Sequence, residues 1–403
     1  MGGRTGRPER SGASLRESPV VIDNGPMTSS VRRPPPWPAI VAVAVPWLVC
    51  LVVVLSGYDH KHYIRGDSLF YLVTARSLIT DHDLAIGDDL RPPLDFWSGH
   101  VAVDRRGRIV PKHPPLLAFV ALPLIAALGP PGALVFNLIQ IAVALCLGYA
   151  IAVRVARPWA ASAAVALTGT TSFLPHYAWN FSPDVFASVL LLGGVVALGV
   201  TEPQGRCRTA LAGTLLGLAC AAKLAVSPVL LAVPALVRRP RRTLPWLVLG
   251  LALPLAGQGA LDWHLFGSPL VTGYNRIAEI ENGRVTLRSE TSDFDLPWLA
   301  GIRGQLLDRR HGLLFTSPVT LLSLACLPLM VGAARRLSLF VGGATLVLVA
   351  LLSRYRLWAA SHWGNRYLMP VVLLAAAPLA VGIDRLAAVL AARRGGDGIS
   401  LTP

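Results

Sequence analysis

Charge is scarce in this chain. Asp, Glu, Lys and Arg make up only 15% of 403 residues, and just three of the 37 basic residues are lysines: Lys61, Lys112 and Lys223. So little charge argues against a disordered protein and against an ordinary soluble domain. Cysteine is also sparse. The five (Cys50, Cys146, Cys207, Cys220, Cys326) include no CxxC pair. Four of them sit in apolar runs and read as small buried hydrophobes, so neither a zinc site nor a disulfide framework is indicated. Internal repeats and heptads are absent, and so is the inverted symmetry that marks many transporters.

What fills the sequence instead is apolar: 53% of residues are hydrophobic, with a mean hydropathy of +0.55. Trp37–Ser56 is the first run long enough for the roughly 20 residues that a membrane-crossing helix needs. It is too long for a signal-peptide core and no small-residue cleavage site follows it, so it reads as a retained anchor. Further runs cover about 114–129, 132–153, 159–175, 183–200, 209–222, 224–237, 244–261, 313–334, 337–352 and 367–388. The fold class expected is an all-α polytopic membrane protein of about ten to eleven transmembrane helices. In the ten-crossing version, 114–129 is a short re-entrant or half-buried helix ended by GPPG. Residues 1–36 (rich in Gly, Pro, Ser and Arg) form a disordered tail, 37–388 the transmembrane domain, and 389–403 a C-terminal tail. Met27 offers a second possible start.

The formal charge of +15 invites a nucleic-acid reading, but its distribution does not support one. Arginines flank apolar runs at 32–33, 154 and 157, 206 and 208, 238–242, 335–336 and 393–394, the pattern of cytoplasmic loops. That topology leaves two long loops outside. Residues 57–112 carry eight basic and eight acidic residues, and residues 263–312 six of each. The excess of positive charge is therefore topological, and the expected surroundings are membrane lipids rather than nucleic acid.

The residues of chemical interest lie on the predicted outer side. Leu69, Leu72, Val73, Ala75, Leu78 and Ile79 have near-helical spacing and predict a short amphipathic helix lying on the membrane, opened by Asp67 and Ser68. Either could serve simply as an N-cap. Asp184, in SPDVF, is a second carboxylate at the outer start of a span, again with a capping alternative. Lys223 stands between two apolar runs, where an ionisable group is a functional hypothesis by default; snorkelling to the interface is its alternative use. Arg366 opens the last span on the outer side, where the orientation rule does not call for it. Lys112 and His113 precede Pro114-Pro115 where the chain re-enters the membrane, and the prolines fix a turn there. His362 could donate to a phosphate or a sugar. Tyr274 and Trp363 could stack on a sugar ring, although interfacial aromatics are also common anchors.

These pieces resemble the GT-C superfamily of polyprenyl-phosphate-sugar-dependent glycosyltransferases, similar to protein O-mannosyltransferases and bacterial aminoarabinose transferases. An acidic residue opens a juxtamembrane helix in a large loop after the first span. Then VPKHPPLLAFVALPLIAALG, NFSPDVFASVLLL, LLGLACAAKLAVSP, WHLFGSPLVTGY, HGLLFTSPVTLLSL and WAASHWGNRYLMPVVLL follow in the order of that family's HPP, PD, GLxxxxK, FGSP…GY, GLLFYSP and W…RYL.P segments. The likeness covers about residues 37–388. Many members carry Asp-Glu where this chain has Asp67-Ser68, so the second carboxylate is missing here.

The resemblance implies a GT-C-like bundle, with a first extracytoplasmic loop (57–112) bearing juxtamembrane helices and a second long loop at 263–312. It also implies inverting transfer of a sugar from a polyprenyl-phosphate donor to a cell-envelope glycan, lipid or protein. Asp67 would be the catalytic base. Lys223, Arg366, Lys112 and His113 would hold the donor phosphate, and Asp184, Tyr274, His362 and Trp363 would position acceptor or sugar. No cofactor beyond the lipid-linked donor is called for; a divalent metal stays open without support from the residues. The preference for Arg over Lys, with many Ala, Gly and Pro, fits a high-GC genome such as an actinobacterium. In that setting the donor would be decaprenyl-phosphate arabinose or mannose. A transporter or flippase of lipid-linked sugars, and a non-catalytic subunit keeping the fold, are the other readings.

Overall fold

The computed structural model describes residues 36–57, 67–90, 97–199, 204–281, 284–359 and 363–396. The predicted N-terminal tail up to residue 35, His362 and residues 397–403 lie outside the described residues.

The first element, α1 (Trp37–Leu55), starts behind Pro36 with another proline in its first turn, where a missing N–H breaks no helical bond. After it come α2 (Asp67–Thr80), β1 (Val101–Val103), β2 (Ile109–Pro111), α3 (Leu116–Leu128), α4 (Pro131–Ala152), α5 (Pro158–Thr171), α6 (Pro183–Leu198) and α7 (Arg206–Ala222). The chain continues through α8 (Pro240–Phe266), β3 (Ile277–Glu281), β4 (Arg284–Arg288), α9 (Trp298–Leu307), α10 (Leu313–Thr316), α11 (Pro318–Ala325), α12 (Leu327–Arg354), α13 (Met369–Leu374) and α14 (Ala376–Gly396).

Among the described residues, five segments are long and apolar enough to cross a membrane: Trp37–Leu55, Pro131–Ala152, Pro240–Phe266, Leu327–Arg354 and Arg366–Arg393. Large apolar side chains on them stay uncovered by protein, among them Leu48 and Val52 on α1 and Leu249 and Leu253 on α8. Water would not tolerate such faces in this number; hydrocarbon does. The protein is mainly helical and membrane-embedded.

Three expectations need correction. The stretch 224–237, expected as a helical crossing, forms 3-10 turns over Leu224–Leu231 and Val233–Leu236. Pro228 and Pro234 lack the N–H that a continuous α-helix would use. The stretch 313–334 is divided among α10, α11 and the start of α12, with Pro318 opening α11 and a non-helical Ala334 inside α12. Finally, α2 does not simply rest an apolar face on a membrane. Tyr71, Leu72 and Ala75 join the main core, while Phe70 packs with Ile86, Leu90 and Trp97 in a second cluster, so the helix is buried on two sides.

That second cluster lies against an element the sequence did not predict. Strands from the two long polar loops form one antiparallel sheet in the order β2-β1-β3-β4. Val101 faces Pro111 and Val103 faces Ile109 in the first hairpin; Ala102 pairs with Ile277; and Ile277 to Glu281 run against Arg288 to Arg284. At the tip of the first hairpin, the Asp104 carboxylate accepts from the backbone N–H groups of Arg106 and Arg108 at 2.8 and 2.9 Å. The sheet makes one structural unit of two loops far apart in the sequence and sets the end of β2 beside the Tyr274 turn.

Helix α7 packs more extensively against α8 than any other pair of elements does. The reason is three glycines. A Cβ at Gly250 would meet the Ala210 carbonyl, one at Gly213 the Leu247 carbonyl, and one at Gly217 the Leu251 carbonyl at 2.7 Å. Such small residues let two backbones approach where lipid supplies no hydrophobic drive. Gly250→Val is expected to cost about 1–3 kcal/mol by overpacking. Unfolding in detergent, measured beside wild type, checks this.

Candidate functional site

The proline pair 114–115 ends the stretch after β2 and starts α3, which leaves Lys112 and His113 on the wall of a cavity of about 740 Å³. Six of the predicted residues converge on it: Asp67, Lys112, His113, Lys223, Tyr274 and Arg366 all line the wall. They come from the start of α2, the β2–α3 link, the end of α7, the turn after α8 and the turn before α13.

Asp67 is the hub. Arg366 Nη1 lies 2.5 Å from its Oδ2, and His113 Nε2 lies 3.4 Å from its Oδ1. The other His113 nitrogen, Nδ1, is 2.9 Å from the Tyr274 hydroxyl. The Tyr71 ring stacks against His113. Burial alone would raise the Asp67 carboxyl, but Arg366, His113 and Lys112 outweigh it and hold the group well below the usual carboxylate range. Burial pushes the Tyr274 hydroxyl well above its ordinary value, so it remains a neutral hydrogen-bonding group.

A second ion pair lies beside the first. Lys223 donates to Asp184 in the first turn of α6, with side chains 8% and 0% exposed. Asp184 also accepts from the Ser182 hydroxyl at 2.8 Å. The Tyr367 ring sits under both cations, 4.4 Å from Lys223 Nζ and 5.2 Å from the Arg366 guanidinium carbon. Asp184 is thus the counter-charge of Lys223 and does not line the cavity. Trp363 stands apart from the cavity as well. It is 38% exposed and off the cavity wall, and its carbonyl accepts from the Tyr177 hydroxyl. Lys112 donates to the Gly99 carbonyl at 3.0 Å, and both residues line the cavity.

Several lining residues were not anticipated: Asn180, Arg288, Glu290, Tyr355 and Tyr367. Tyr367 had a signal, standing next to Arg366 in the RYL segment. Glu290 lies in SETSDFD, which reads as solvated surface, and Tyr355 looks like one more interfacial aromatic. Ser68, beside Asp67, is fully buried and donates to the Asn180 side chain at 2.9 Å, so it does not join the wall.

Buried polar atoms without hydrogen-bond partners concentrate here. Among the described residues, Arg366 Nε, His113 Nε2, Glu290 Oε2 and the Tyr71 hydroxyl are all in this state, although His113 Nε2 keeps its looser ionic contact with Asp67. Native proteins leave few such groups unsatisfied, and those at a cavity wall are natural contacts for a ligand. Leu224, Ala225, Pro228, Leu351, Leu352 and Leu357 supply an apolar flank to the same space.

Comparisons with protein-family models, curated proteins and solved structures find no match for this chain. Its function must therefore be argued from the site. The described residues include one group of carboxylates close enough to share a cation, Asp81, Asp88 and Asp89, and none of the three lines the cavity.

Proposed function

We propose that this chain is an inverting glycosyltransferase of GT-C type, moving a sugar from a polyprenyl-phosphate donor to a cell-envelope acceptor. The proposal includes a multi-pass bundle of about ten crossings with the cavity on the extracytoplasmic side. The observation that carries it is the pairing of Asp67 with Arg366 inside a cavity that has an apolar flank and an unsatisfied Arg366 Nε. A lipid phosphate needs that combination: a cationic donor for the head and apolar surface for the first carbons of the tail. The ordered motif segments between residues 37 and 388 point to the same chemistry.

In this reading the acceptor hydroxyl oxygen attacks the anomeric carbon, and the bond from that carbon to the phosphate oxygen breaks. Polyprenyl phosphate leaves with the bonding electron pair, and the hydroxyl proton passes to Asp67. Arg366 and Lys112 stabilise the charge that builds on the phosphate. Asp67 in its resting pair is a weak base. When Arg366 turns to the donor phosphate, the guanidinium that depresses the carboxyl is shared with a second anion and Asp67 gains basicity. Binding of donor thereby prepares the base.

Incubating the purified full chain, in nanodiscs, with decaprenyl-phosphate arabinose and decaprenyl-phosphate mannose tests the proposal. The expected result is release of decaprenyl phosphate from at least one of them, accelerated by an envelope extract that supplies acceptors. No release from either, with or without extract, would reject the transferase reading in favour of transport or a non-catalytic role.

A further inference from the structure

Glu290 is not explained by the phosphate and base chemistry. It begins a short 3-10 turn (Glu290–Asp293) after β4, and its Oε1 accepts from the Tyr355 hydroxyl. Its Oε2 is buried and has no hydrogen-bond partner among the described residues. The nearby lining cation, Arg288, is occupied by Glu279 and Asp293, each at 2.7 Å. A buried carboxylate oxygen can only accept hydrogen bonds, so what completes it must bring a donor.

The surroundings narrow the donor's chemistry. Thr272, Asn275 and Thr291 add uncharged hydrogen-bonding groups to this part of the wall. Phe294 and Tyr355, with ring centroids 4.9 Å apart, add an aromatic surface. A carboxylate with a free lone-pair face, neutral polar neighbours and an aromatic flank suits a ring carrying several hydroxyls. It does not suit a second anion.

We infer that Glu290, held by Tyr355, forms a hydroxyl-binding subsite for a sugar ring in the cavity, separate from the Asp67–Arg366 pair. The subsite deepens the transferase reading but depends on it only for which molecule bears the ring. In that scheme Glu290 touches the sugar and fixes its orientation, and it supplies from the second loop a carboxylate that position 68 lacks. The hydroxyls could belong to the donor's sugar or to the acceptor.

The test is a set of binding measurements on the full chain in nanodiscs. The probes are decaprenyl phosphate, decaprenyl-phosphate arabinose, decaprenyl-phosphate mannose and octyl mannoside, and the melting temperature of every variant is recorded. In wild type, at least one sugar-bearing lipid should bind about tenfold more tightly than bare decaprenyl phosphate, the scale of one hydrogen bond to a charged group. Glu290→Gln should bring the two to parity while leaving bare decaprenyl phosphate unchanged. Tyr355→Phe, which removes only the hydroxyl that holds Oε1, should shift the ratio in the same direction and serves if Glu290→Gln folds poorly. If the variants instead weaken octyl mannoside and spare the lipid preference, the subsite holds the acceptor's ring. If octyl mannoside binding depends on Glu290 but decaprenyl phosphate does not bind wild type, the subsite stands and the transferase reading falls. If no probe's affinity responds to either variant, the subsite is refuted.

Discussion

Asp67→Asn should lower sugar transfer by about 100- to 10,000-fold, the range for losing a general base, while leaving the protein in the membrane. The substitution keeps the side-chain shape and removes only the charge, so the cavity remains and the proton acceptor does not. Release of lipid phosphate under saturating donor is the measurement, and a wild-type rate would remove Asp67 from the mechanism. The same pair sets an acid limit on stability. Because Arg366 lowers the Asp67 carboxyl in the folded state, the pair's contribution is complete above the free side chain's value of about 3.9. It is lost as the pH falls through the lower, folded value. In Arg366→Gln the largest of the depressing charges is gone, the folded-state value rises toward that of the free side chain, and the acid limb of a melting-temperature profile should become shallower than in wild type.

The buried pair of Lys223 and Asp184 should show the other large effect, and on stability first. Removing one partner, as in Lys223→Met or Asp184→Leu, leaves the other charged and almost fully buried. Breaking such a pair costs about 3–5 kcal/mol. Replacing both with apolar residues of similar volume should recover most of the loss, since the desolvation cost of both ions disappears together. If Lys223 is a phosphate ligand as well, the double variant will be well folded yet impaired in binding decaprenyl phosphate. Normal binding by the double variant would assign Lys223 a purely structural role beneath the Tyr367 ring. Unfolding and lipid binding read on the same preparations separate these outcomes.

How far the sequence leads depends on how unusual each residue is in its place. Lys223 and Arg366 were legible because a cation bordering an apolar run, away from the arginine-rich loops, needs a reason. Asp67 was legible from its position at the start of a helix after the first span. Lys112 and His113 were marked by the proline pair behind them. Glu290 and Tyr355 were not legible, since one acid among several in a polar loop and one tyrosine at a helix end are ordinary. Only the fold, by bringing the loop of residues 289–294 against the turn after α12, makes a pair of them. The sheet escaped notice because its strands are three to five residues long. Runs that short carry no readable alternation. Pro228 and Pro234 were visible as interruptions, but whether a proline kinks a helix or converts a run into 3-10 turns depends on neighbours brought in by packing.

The sheet between the two loops also decides where this protein can change length. The tip at Arg105–Gly107 lies beyond the paired residues of the first hairpin but is tied down as well: the Arg105 N–H donates to the Leu265 carbonyl at 2.8 Å and the Gly107 N–H to the Asp104 carbonyl at 3.2 Å, so an insertion there would break a tight turn. Between Val110 and His113 the constraint reaches the cavity wall. One added residue would slip the register against β1 and turn alternate side chains to the other face. Lys112 and His113 would leave their places, and the contact between the Lys112 backbone and Gly273 would be lost with them. A change of length at the hairpin tip would therefore cost local structure, and one six residues later would cost the site itself.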